Sequence, residues 1–139
     1  MRRIMIPMFN QPDVHDPDGV VYAKEILDKC VNGIHDPIPV IIENPYDAHG
    51  ETIGHVSVID GKYIIADLLD CKDKEMDAIV NKAVGMINEG EIKVWMNYIA
   101  DLDQTYTYVK EMHSIAHFHL CNNAGNSIII VDLKTHKKR

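Results

Sequence analysis

The pair Asp60-Gly61 separates two runs that read as strands, Thr52 to Ile59 and Lys62 to Leu69. Glycine takes the positive φ that a tight turn demands, and Asp-Gly between two strand-like runs is the strongest short-range signal for a β-hairpin in the sequence. The two runs are therefore predicted to pair antiparallel. A hairpin of this kind has an apolar face that must be covered, so the rest of the chain has to supply more strands and something to pack on them.

The remaining patterns supply both. Ile4 to Phe9 reads as a first strand, followed by a turn-rich loop from Asn10 to Gly19 that contains Pro12, Pro17 and Asp18-Gly19. Tyr22 to Val31 reads as a helix, with Ile26, Leu27, Cys30 and Val31 on its apolar stripe and Asn32-Gly33 as a left-handed stop. Pro37 and Pro39 exclude helix, and Val40-Ile41-Ile42 is a buried strand that ends in the turn signal Glu43 to Asp47 and a polar loop through His49 and Gly50. Asp73 to Glu89 is a second helix, with Met76, Ile79, Val80, Ala83, Val84 and Ile87 on one side and Gly90 at its end. Strand character returns in Lys93 to Leu102, Tyr106 to Met112, Ile115 to Cys121 and Ser127 to Leu133.

Many strands and two main helices in this order do not make a repeated βαβ alternation. The expected fold is α+β: a curved antiparallel sheet or small β-barrel with the two helices packed outside. At 139 residues the chain is one domain, read as residues 1–133, with a basic tail at 134–139.

A net charge of −7 argues against nucleic acid as a partner, because phosphate binding needs clustered cations. The basic residues gather at the ends, Arg2 and Arg3 at one and Lys134, His136, Lys137, Lys138 and Arg139 at the other, where frayed, solvated termini are the simplest expectation. No apolar run approaches a membrane span or a signal-peptide core. Cys30, Cys71 and Cys121 are odd in number and lack a C-x-x-C spacing, so reduced, mostly buried thiols in a cytoplasm are expected.

From Asp18 to Asn123 the order of landmarks resembles the prohead proteases of tailed phages, which share a fold with the herpesvirus capsid-assembly proteases. Gly19-Val-Val-Tyr22-Ala-Lys-Glu-Ile-Leu27 is similar to the family's G-x-x-Y approach to a helix. Ile38-Pro-Val-Ile-Ile-Glu-Asn-Pro-Tyr-Asp47 resembles its P-V-T-L-x-H-P strand and turn, and Ile53-Gly-His-Val56 its I-G-x-V strand, followed by Asp60-Gly61 and Ala66-Asp67-Leu68. Ile87-Asn-Glu-Gly-Glu-Ile-Lys-Val-Trp-Met-Asn-Tyr98 resembles the strand that carries the nucleophile, and Ile115-Ala-His-Phe-His-Leu-Cys121 the strand after it.

The resemblance implies a serine nucleophile, a histidine base and a second histidine or acid that orients the base. It puts Trp95 in the place of the serine and Asn44 in the place of the base, and only His117 matches. A serine hydroxyl is a poor nucleophile without an aligned base, an indole offers no nucleophilic atom, and an amide takes no proton near neutral pH. No serine lies between Ser57 and Ser114, so a small shift of register does not restore one. No catalytic residue is expected on this reading.

Three further groups carry possible chemistry. His113, His117 and His119 share one parity, so on a regular strand they project to one face where imidazoles can hold a metal; no acid of matching parity is apparent nearby, and a polar strand face with bonded rings is the simpler reading. His49 and His55 lie near Asp47 and Glu51, an arrangement that is usually just solvated. Trp95, Met96, Tyr98, Tyr106 and Tyr108 form an aromatic and Met-rich region, half of it core and half a candidate interaction surface.

The sequence thus supports three functional expectations. The first is a virion structural protein without catalysis or cofactor: an auxiliary, decorating or cementing protein present in many copies or as a homo-oligomer. The resemblance implies a major capsid protein or other virion proteins as partners, and a path from host cytoplasm to capsid. The second is a working maturation protease with an atypical set drawn from His117, His49 and Ser114 or Ser57. The third is a metal-binding module built on His113, His117 and His119.

Overall fold

The computed structural model describes residues 2–134. The fold is α+β: one six-stranded mixed sheet that is not closed, with three helices. In chain order the elements are β1 (Arg2–Pro7), α1 (Lys24–Asn32), β2 (Ile38–Asn44), β3 (Asp47–Ile59), β4 (Tyr63–Leu68), α2 (Lys74–Asn88), β5 (Ile92–Leu102), β6 (Val109–Asn122) and α3 (Ile130–Leu133). The strand order across the sheet is β1-β4-β3-β2-β6-β5.

The hairpin at Asp60-Gly61 forms as expected. Gly61 has φ +112°, and the Asp60 N–H donates to the Tyr63 carbonyl at 3.0 Å. β3 and β4 then pair antiparallel from Ile59 against Ile64 to Gly54 against Leu68. Gly54 is required by the closeness of that pairing, because a Cβ there would stand 2.5 Å from the Asp67 carbonyl oxygen. β1 adds to the outer edge of β4, where Arg3 forms an ion pair with Asp67 at 2.9 Å.

The sheet is mixed rather than wholly antiparallel. β2 and β6 run parallel, joined through Val40 against Phe118 and Ile41 against His119, and this short ladder unites the β1-β4-β3-β2 group with the β6-β5 ribbon. The far edges of the two groups approach each other through one isolated bridge, Met8 to Val94, and the Phe9 N–H donates to the Val94 carbonyl at 2.8 Å. The sheet therefore curls strongly without becoming a continuous barrel.

Inside the curl lies one core. It takes Ile6 and Met8 from the first segment, Val40 and Ile42 from β2, Ile64, Ala66 and Leu68 from β4, Ile92, Val94 and Met96 from β5, and Met112, Ile115, Phe118 and Leu120 from β6. The helices close it: α1 contributes Leu27 and Cys30 and packs on β6, while α2 contributes Ile79, Val80, Ala83 and Ile87 and packs on β5 and α3. α2 opens on Asp73, whose carboxylate accepts from the Glu75 N–H. It ends in a Schellman motif, in which Gly90 (φ +77°) donates to Ile87 and Glu91 donates to Met86.

Several local expectations need correction. Gly33 is not left-handed; at φ −90° it stays in the right-handed region and closes α1 with a bond to Cys30. The polar loop expected through His49 and Gly50 is the start of β3, since Pro45-Tyr46 alone makes the turn and Asn44 already pairs with Asp47. Tyr106 to Met112 and Ile115 to Cys121 are not two strands. Tyr106 belongs to a loop, and Val109 to Asn122 is one strand that absorbs three irregularities along β5. Ser127 and Ile129 each make one isolated bridge, after which the chain turns into α3 instead of continuing as a strand.

The chain ends are not simply frayed where they are described. Arg2 and Arg3 lie in β1, with Arg2 bonded to Asn81 at 2.6 Å, and Lys134 pairs with Glu75 at 3.2 Å. His136, Lys137, Lys138 and Arg139 lie outside the described residues. Cys30, Cys71 and Cys121 are free thiols, and Cys30 and Cys121 are buried.

Candidate functional site

The outer face of the sheet carries a row of rings across its weakest join. Phe9 stacks on Trp95 with ring centroids 5.5 Å apart, Trp95 stacks on His119 at 6.5 Å, and His119 lies 5.7 Å from His117. Register explains the row. Trp95 is directly opposite His119 and Asn97 directly opposite His117, and period-2 alternation sends Val94, Met96, Phe118 and Leu120 to the core and these four residues outward.

Next to the row is a groove of about 420 Å³, lined by Glu43, Asn44, Asp47, His49, Asn97, His117 and His119 among others. Its wall is made by an irregularity in the β2–β3 pairing. Between Ile42 and Asn44 the register slips, so that residues Ala48 to Gly50 bulge from β3. Gly50 permits the bulge: its φ is +67°, and a Cβ would come 2.7 Å from the Ile42 carbonyl oxygen. The displaced turn of backbone brings His49 to the groove that already holds His117 and His119.

The electrostatics of the groove are set by burial against one carboxylate. His119 is 9% exposed, and its Nδ1 is buried without a hydrogen-bond partner. Burial pushes the pKa values of His117 and His119 below the usual imidazole value, and the charge of Glu43 opposes the shift in both. Glu43 is itself steadied by the Ser127 hydroxyl, which donates to its Oε1 at 3.1 Å. Asn44 donates to Glu51 Oε1 at 3.2 Å, and its Oδ1 accepts from the Tyr46 N–H, so this amide is engaged in holding the β2–β3 turn.

Of the positions that the family resemblance singles out, Asn44 and His117 share the groove, and Trp95 is in the adjacent ring row. The serines considered for an atypical catalytic set lie elsewhere. Ser57 is exposed and donates to the Ile65 carbonyl at 3.1 Å, and Ser114 lines a different cavity between α1 and β6. Among the described residues no serine hydroxyl is hydrogen bonded to an imidazole. His55 is opposite Asp67 on β4 and is not part of the groove that His49 joins.

The trio His113, His117 and His119 is not brought together. β6 carries an extra residue relative to β5 between His117 and Ile115 and another between Ser114 and Met112, and each cancels the parity that a regular strand would keep. His113 instead meets Asp101 at 2.8 Å and approaches Glu111 at 4.0 Å. The expectation that no acid of matching parity adjoins it is thus wrong, since Glu111 stands two residues away on the same strand. This exposed trio is the only group among the described residues with three such donor atoms within 4.8 Å of one another.

The expected interaction surface divides. Met96 is a core residue with 0% exposure, because even-numbered positions in the first half of β5 face inward, and it is removed from the surface set. Tyr98 is half-buried against Tyr22, with ring centroids 5.6 Å apart. Tyr106 and Tyr108 remain, 76% and 56% exposed, at the end of the β5–β6 hairpin; Ile99 is also exposed, farther along β5 opposite Ser114. Asp103 shapes that loop: its carboxylate accepts from the N–H groups of Thr107 and Tyr108 and from the Thr105 hydroxyl, which holds its pKa below the usual carboxylate value.

Sequence reasoning missed Phe9, Glu43 and Asn97 as parts of this face. The apolar-polar alternation of Lys93 to Asn97 and the acid directly after a buried strand were the signals available for Asn97 and Glu43. No described helix is long and apolar enough to cross a membrane. Set against known protein families, curated proteins and solved structures, the chain matches none.

Proposed function

We propose that this protein is a non-catalytic structural component of a phage-type virion, an auxiliary or cementing protein that binds a major capsid protein in many copies. The observation that supports the reading is Trp95. The position that the prohead-protease resemblance assigns to a nucleophile holds an indole packed between Phe9 and His119, while the position assigned to the base holds an amide bonded to Glu51. Neither arrangement favours acyl transfer, which requires an activated nucleophile beside its base.

A binding role has its own physical support. Tyr106 and Tyr108 present apolar area on a well-braced hairpin end, and aromatic side chains are enriched at the centres of protein interfaces. The test is the composition of purified particles. The proposal expects this chain at fixed stoichiometry in mature virions and intact when co-expressed with capsid and scaffold. Presence in immature shells alone, or cleavage of the scaffold that depends on His117, overturns it.

A further inference from the structure

The groove beside the ring row carries a second inference that does not depend on the capsid reading. We infer that His117, His119 and Glu43 form a binding site for a zinc-class divalent ion, with the remaining coordination position open to the groove. The chemistry of the donors fits such an ion: two imidazoles and one carboxylate make the ligand set that borderline transition ions prefer over magnesium or calcium.

Four observations converge on it. First, imidazoles bound to one zinc through nitrogens at about 2.0–2.1 Å have centroids roughly 5 Å apart at the tetrahedral angle. The measured 5.7 Å between His117 and His119 lies close to that separation. Second, the i, i+2 spacing on β6 and the pairing of both residues with β5 fix the two rings on one face. Third, His119 Nδ1 is buried without a partner, an arrangement that is unfavourable because the nitrogen has lost its water without gaining a hydrogen bond. A bound cation relieves that cost by taking this nitrogen as a ligand.

Fourth, Glu43 lines the same groove as both imidazoles, and the Ser127 hydroxyl anchors its Oε1 at 3.1 Å as outer partners anchor metal-bound carboxylates. The donor atoms of the three residues do not all lie within 4.8 Å of one another, so their side chains close on the ion as it binds. The exposed trio of Asp101, Glu111 and His113 is excluded from the site, having no buried, unpartnered group and no cavity that joins it to His117.

The experiment uses the full chain without a histidine tag, titrated with zinc alone by calorimetry and with nickel by fluorescence. Trp95 is the only tryptophan and stacks on His119, so a paramagnetic ion at this site quenches its emission. One zinc per chain is expected. His117→Gln and Glu43→Gln each weaken binding about tenfold or more, as loss of a ligand or its supporting partner does. His113→Gln leaves the affinity unchanged. His117 and Glu43 are only half-buried, so these variants carry the test even where the buried His119→Gln fails to fold; circular dichroism of the metal-free variants verifies folding. Absence of zinc binding, or binding that His113→Gln abolishes and His117→Gln spares, overturns the inference. Binding or its loss leaves the virion reading unaffected, because that reading is judged by particle composition.

Discussion

The side-chain amide of Asn10 binds the backbone of Met96 as a neighbouring strand would. Its Nδ2 donates to the Met96 carbonyl at 2.9 Å, and its Oδ1 accepts from the Met96 N–H at 2.8 Å. The Asn10 carbonyl in turn accepts from the Tyr22 hydroxyl. One buried residue thus satisfies the free edge of β5 just beyond the Met8–Val94 bridge, where no further strand is available.

Asn10→Ala removes both bonds and leaves two backbone groups of Met96 without partners in a buried place. The expected loss of stability is about 2–4 kcal/mol, since each unsatisfied buried group costs about 1–3 kcal/mol. Asn10→Asp keeps the acceptor but sets an oxygen against the Met96 carbonyl, so it is expected to destabilise as well. Urea unfolding gives both values, and an unchanged midpoint for Asn10→Ala would contradict the assigned role.

Two glycines predict opposite signs. Gly54→Ala forces a methyl to within 2.5 Å of the Asp67 carbonyl oxygen, and the strands must separate to admit it, at a cost of about 1–3 kcal/mol. Gly85→Ala adds a methyl on the exposed side of α2 with nothing within 4 Å, so it stabilises by roughly 0.5–1 kcal/mol through helix propensity. Thermal unfolding of the two variants should bracket the parent.

Acid weakens the fold through the groove. His117 and His119 have folded-state pKa values below their unfolded value, so between those values the unfolded chain binds more protons. The groups facing them are Glu43, Asp47 and His49, of which Glu43 alone opposes the shift. Stability is therefore full above about pH 6.5, falls as the pH drops toward the folded values, and levels off below them. His119→Gln should flatten that part of the profile, and Trp95 emission should titrate with it. A profile with the same slope in parent and variant would assign the effect to other groups.

Tyr106 has φ +57°, a left-handed conformation that an aromatic residue adopts at a cost of about 1–2 kcal/mol. Asp103 and its three loop partners enforce it. Tyr106→Gly relieves the strain and should leave the isolated protein as stable or somewhat more so, while association with the proposed capsid partner falls. If particle incorporation is undiminished by Tyr106→Gly and Tyr108→Ala together, the hairpin end is not the contact surface.

The parts of the fold visible in the sequence were those governed by local chemistry. Asp60-Gly61, the Asp73 cap, Gly90 and the inward residues of α2 all follow from rules that act within a few positions. The failures share a different cause. The parity rule that placed His113 with His117 and His119 assumes an unbroken strand, and β6 carries three irregularities that no residue type announces. Ser127 to Leu133 has the composition of a strand, yet no open edge awaits it beyond its two bridges, so it coils against α2 and β2. The groove was half legible: Asn44, His49, His117 and His119 were all singled out, but only the bulge at Ala48 to Gly50 and the parallel join of β2 to β6 bring them together.

The clasp formed by Phe9 and Asn10 on β5 ties residues 86 apart along the chain and does so with three hydrogen bonds. Apart from the short β2–β6 join, neighbouring strands are sewn by longer ladders, so hydrogen exchange should register partial opening early at this seam. A curled sheet with so narrow a seam is expected to open slightly there without unravelling. In the proposed virion role, that freedom would let identical subunits sit at sites of unequal curvature while each keeps its core intact.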